Sequence, residues 1–124
     1  MSDLTESRLF VYGTLAPGRS NEHVLAGLRG SWEEASTMGR LCEQGWGAAY
    51  VYPAIILGAD LPEACSVSGY LFTSVELLEF WCELDEFEGE AYQRSKAAIV
   101  TSSGEVVSAY TYELNERYWL SLLE

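Results

Sequence analysis

Tyr92-Gln93-Arg94-Ser95-Lys96-Ala97-Ala98-Ile99-Val100-Thr101, Ser102-Ser103-Gly104-Glu105, Val106-Val107-Ser108-Ala109-Tyr110-Thr111-Tyr112-Glu113-Leu114 is the stretch that decides the fold. Two alternating runs with β-branched and aromatic residues flank a polar turn that contains glycine. Such a pattern predicts a β-hairpin over 92–101 and 106–114. Upstream, Thr73 and Glu76 have the spacing of a capping box, and a helix over 74–86 follows. Leu77, Phe80, Trp81 and Leu84 fall at i, i+3, i+4 and i+7, a single apolar stripe. Further out, residues 8–12 and 66–73 read as strands, and 50–57 as an extended stretch. Pro53 marks that stretch as an edge or a bulge. Residues 32–43 read as a strand or strand pair interrupted at Gly39, and 44–47 as a turn. Ser20 is the expected cap of a short helix over 21–28, with His23, Val24 and Leu28 on its inner face. Many strands with two helices predict an α+β fold whose mixed sheet curls towards a barrel.

Composition narrows the function. The chain of 124 residues suits one domain, 1–124, and an apolar share of 48% is enough for a real core. A formal charge of −12 sets the chain against nucleic acid and anionic membranes, so neither is expected as a partner. Cys42, Cys65 and Cys82 are far apart, with no Cys-x-x-Cys pair, and His23 is the one histidine. No zinc site is expected, and three reduced thiols suit a cytoplasmic compartment. The first residues lack the layout of a signal peptide, and no apolar run approaches the roughly 20 residues that span a bilayer.

Two stretches carry candidate chemistry. Leu9-Phe10-Val11-Tyr12-Gly13-Thr14-Leu15, followed by Ala16-Pro17-Gly18, is an apolar strand emptying into a glycine loop. A loop of this kind can offer several backbone N–H groups to one ligand; an ordinary strand with a turn is the plainer reading. The second is Leu84-Asp85-Glu86-Phe87-Glu88-Gly89-Glu90-Ala91, at the end of the strong helix. Acids crowded at a helix C-terminus are electrostatically disfavoured, which suits a general base for an ammonium proton. A solvated acidic turn is the plainer reading here too. Asp85 and Glu88, at i and i+3, also admit a glycosidase-type acid pair.

Tyr12-Gly13-Thr14-Leu15 with Pro17-Gly18 and Asn21-Glu22-His23, then Ser68-Gly69-Tyr70-Leu71-Phe72, then Leu84-Asp85-x-x-Glu88-Gly89 and Tyr92-x-Arg94 resemble, in order and spacing, the γ-glutamylcyclotransferase-like family. The branch most similar is the one containing γ-glutamylamine cyclotransferase. The resemblance runs from about Leu9 to Leu114. It implies a small mixed β-barrel of about five to seven strands with a few helices outside. It also implies a cofactor-independent enzyme that closes a γ-glutamyl compound to 5-oxoproline. By position, Glu88 matches the catalytic glutamate, and Tyr12, Gly13, Thr14 and Leu15 match the substrate-binding loop. Tyr92, Arg94 and Tyr118 are further pocket candidates, with a structural reading open for each. The expected partner is a small γ-glutamyl molecule, and the expected state is a monomer or weak dimer. A binding module for γ-glutamyl or amino-acid-like molecules, without turnover, is the alternative.

Overall fold

The hairpin forms with the bounds its sequence predicts. In the computed structural model, which describes residues 4–12, 23–42, 54–58, 64–88 and 92–114, strands β5 (Tyr92–Thr101) and β6 (Val106–Leu114) pair antiparallel in one register. The turn closes through the Gly104 amide on the Thr101 carbonyl, 2.9 Å. Gly104 has φ +89°, a conformation that a Cβ makes costly.

Four further strands complete the sheet: β1 (Arg8–Val11), β2 (Ser31–Cys42), β3 (Ala54–Leu57) and β4 (Cys65–Thr73). β1 pairs with β4, β4 with β2, β2 with β5 at Ala35↔Thr101 and Ser36↔Val100, and β6 returns to β1 at Leu9↔Tyr110. These pairings close a barrel of five strands. β3 is a sixth strand, antiparallel to β2 over Gly39–Cys42 and parallel to β6 at Ile55↔Glu113.

Alternation along β1 separates two apolar clusters. Phe10 points into the barrel with Ala35, Leu71, Ile99 and Ala109. Leu9 and Val11 point outwards, into a cluster with Leu25, Phe72, Leu77, Trp81, Leu84 and Tyr112. β1 is thus covered on both faces from Leu9 to Val11, which is why that run is continuously apolar. Each fully buried Leu or Phe contributes about 1.5–3 kcal/mol relative to exposure.

Local expectations change in three places. The predicted 74–86 helix is two pieces, a 3₁₀ segment Val75–Glu79 and an α-helix Trp81–Glu88, here α2. Its cap is Ser74, not Thr73: the Ser74 side chain accepts from the Glu76 amide at 3.1 Å and donates to the Arg29 carbonyl. Thr73 is committed to the sheet opposite Arg8 and Ser31, and Glu76 accepts from the Arg29 amide at 2.6 Å rather than reaching back. The stripe survives the split, because Leu77, Trp81 and Leu84 are all buried. Strand β2 runs unbroken through Gly39, because the backbone there is laddered on both edges, to Leu57 and to Cys65. The first helix, α1, covers His23–Ala26; Leu25 is buried and Leu28, just beyond it, is half-buried, while the side chains of His23 and Val24 lie outside the description. Ser20, the turn at 44–47 and the stretch 50–53 lie outside the described residues.

Ser74→Ala is expected to cost about 1–2 kcal/mol, since it removes a cap and leaves the Arg29 carbonyl without this donor. Equilibrium denaturation measures it; an unchanged midpoint would show that the cap contributes nothing.

Candidate active site

The parallel register Leu9↔Tyr110 carries Tyr12, the residue after β1, to the level of Glu113. Glu113 pairs in turn with Gln93 near the start of β5. Glu88 is the last residue of α2, and three residues separate it from that start of β5. The chain therefore brings the end of β1 and the end of α2 to one end of the barrel.

Tyr12 is inward-facing and half-buried, packed with the inner cluster. Its hydroxyl donates to the Tyr112 carbonyl at 2.5 Å and accepts from the Ile55 amide at 3.0 Å. Tyr12 thus joins β6 to β3 just where β1 stops, and it holds the exit of β1 in place. Gly13, Thr14, Leu15 and Tyr118 lie outside the described residues.

On the outer face of the hairpin, a polar group ties α2 to the barrel. Asp85 Oδ1 accepts from the Tyr112 hydroxyl at 2.7 Å and lies 3.4 Å from Arg94 Nε. The Arg94 guanidinium lies over two rings, 4.7 Å from the Trp81 centroid and 4.9 Å from that of Tyr110. Those rings meet edge to face at 5.2 Å. The Trp81 indole N–H donates to the Glu6 carbonyl at 2.9 Å. Cation–π contact holds the guanidinium where an ion pair alone would leave it mobile. Tyr92 and Arg94 stand on the outer face of β5, towards α2.

Tyr112 and Glu113 did not stand out in the sequence. A signal for Tyr112 was present, because the four-residue turn fixes the hairpin register and sets Tyr112 opposite Arg94. Glu113 shares the inner face of β6 with Ala109 and Thr111 by alternation. It is half-buried, and its Oε1 lies 3.4 Å from the Leu57 amide.

Residues 9–122 match the family described as gamma-glutamyl cyclotransferase, AIG2-like. The chain belongs to this family. The AIG2-like fold of this chain recurs in solved structures. YkqA from Bacillus subtilis is similar with a TM-score of 0.67 and 30% identity over 88% of this chain, which spans only 36% of YkqA. An AIG2-like protein from Mus musculus is similar with a TM-score of 0.66 and 21% identity, over 91% of this chain and 82% of that one. Allophanate hydrolase from Kluyveromyces lactis contains the same fold, with a TM-score of 0.60 and 13% identity over 91% of this chain and 18% of its own. No curated protein sequence matches this AIG2-like chain. Among the described residues, no helix is long and apolar enough to cross a membrane.

Proposed function

We propose that this AIG2-like protein is a γ-glutamyl cyclotransferase of the γ-glutamylamine type. Glu88 is its general base, and the loop Tyr12–Leu15 holds its substrate. The observation that carries this reading is the convergence of the ends of β1 and α2 at one end of the barrel. In the reaction the substrate's α-ammonium gives a proton to the Glu88 carboxylate. The freed amine attacks the γ-carbonyl carbon and forms the ring C–N bond. The ring nitrogen gives up a second proton as the former amide C–N bond breaks, the departing amine takes up both protons and leaves as an ammonium ion, and 5-oxoproline is left. Backbone N–H groups of the loop bind the substrate carboxylate or the developing oxyanion. Both reacting ends belong to one molecule, so the site mainly selects a folded, near-attack shape. The reaction as written needs no metal and no cofactor. Tyr118 is a candidate for closing the pocket.

The enzyme acts on a small molecule alone, as a monomer or weak dimer. Its free, exposed Cys65 and Cys82 suit the reducing cytoplasm.

Incubation with a panel of γ-glutamyl compounds, read for 5-oxoproline, tests the activity. Binding without product favours the non-catalytic module instead. The charge of −12 and the inward Glu113 favour leaving amines that carry a second positive charge. A γ-glutamyl diamine is expected to turn over at least about fivefold faster than an acidic γ-glutamyl peptide, the scale of one partly exposed charge contact. Equal or reversed preference would overturn that selectivity.

A further inference from the structure

Tyr112 touches both halves of the proposed site through different atoms. Its hydroxyl donates to Asp85, one helical turn before Glu88, and its main-chain carbonyl accepts from the Tyr12 hydroxyl. Its ring is buried among Leu9, Leu77, Trp81 and Leu84, so both contacts start from a residue held in the core. Tyr112 also pairs with Arg94 across the hairpin, and Arg94 reaches the same Asp85 oxygen. One carboxylate oxygen of α2 therefore meets two donors from adjacent strands.

α2 needs such an anchor. It has eight residues, and its last turn carries Asp85, Glu86 and Glu88 beside the negative end of the helix dipole. It has no basic residue in that turn to offset them. The apolar stripe stops at Leu84, since Asp85, Glu86 and Phe87 are all exposed. Hydrophobic contact thus holds the helix up to Leu84, and beyond it the contacts of Asp85 hold the turn.

We infer that Tyr112 is a positioning residue for the cyclisation. With Asp85 and Arg94 it fixes the turn that carries Glu88, and through its carbonyl it fixes that turn relative to Tyr12. The inference rests on the cyclotransferase reading for its kinetic consequence and on geometry alone for its structural one. A general base displaced by a fraction of an ångström loses rate, whereas substrate binding through the loop is retained.

Tyr112→Phe removes the hydroxyl and keeps the buried ring. It is expected to lower kcat for 5-oxoproline formation on the order of tenfold with KM changed by less than about twofold. Asp85→Asn is expected to act in the same direction, and the double variant to be little worse than Asp85→Asn alone, as for two ends of one interaction. Deuterium exchange supplies a readout independent of turnover. In Tyr112→Phe the amides of residues 85–88 are expected to exchange faster while those of β5 and β6 keep their protection. Unchanged exchange at 85–88, or a uniform loss of protection over the barrel, would overturn the positioning role, as would a fall in apparent activity through KM alone. Should the parent protein yield no 5-oxoproline, the cyclotransferase reading fails, and the exchange experiment still decides whether Tyr112 holds the turn.

Discussion

Glu88→Gln is expected to fold as the parent does and to form 5-oxoproline more slowly by a factor on the order of a hundred or more, the scale of a lost general base. Glutamine keeps the size and hydrogen-bonding reach of the side chain and removes the group that can take the ammonium proton. The loss should therefore fall on kcat, with binding of the γ-glutamyl compound largely retained. Steady-state kinetics on the best substrate of the panel, with a thermal melt to show an intact fold, makes the measurement. A Glu88→Gln protein that forms 5-oxoproline at the parental rate would remove Glu88 from the mechanism. The last turn of α2 would then be only an acidic surface.

Phe10→Ala is expected to destabilise the protein by about 3–5 kcal/mol, the range for deleting a buried aromatic ring. Phe10 is 1% exposed and fills the barrel between β1 and β4. Opposite the ring stands Gly69, where a Cβ would lie 2.8 Å from the ring and closer still to the Val11 carbonyl. β4 therefore has no side chain at this point that could relax into the vacated space, and the cavity persists. Against a total stability of about 5–15 kcal/mol for a typical domain, this is a large share. Denaturant titration of the parent and the variant, compared at equal m-value, gives the number. A loss below about 1 kcal/mol would show that the barrel collapses around the missing ring.

Local features were legible where neighbouring residues decide them. Alternation and a glycine turn are short-range signals, so both hairpin strands have the bounds that the pattern predicts. The stripe Leu77, Trp81, Leu84 was legible for the same reason and stayed buried even though the helix divides. The local pattern favours Thr73 as the cap, because Glu76 stands three residues after it. Only the pairing of Thr73 in β4 leaves Ser74 to cap. Gly39 reads as a break from composition, yet two flanking strands hold β2 straight through it.

The candidate site follows the same division. Glu88 and the Tyr12–Leu15 loop stand out as residue types in a recognisable order, and Arg94 stands out as a cation near acids. Their relations to one another do not. Tyr12 as a link between β3 and β6, and Tyr112 as a partner of both Asp85 and Tyr12, depend on pairings between segments far apart in the chain.

By itself, the sequence determined the kinds of element, the apolar faces they must bury and the acidic helix end, because propensity, periodicity and charge act over a few residues. The tertiary structure decided that β6 meets β1 in parallel and so closes the barrel, and that this closure sets the end of β1 level with the start of β5, three residues after α2 in the chain. Strand register is a long-range choice. It is set by which side chains share the barrel interior, and no window along the chain contains that information.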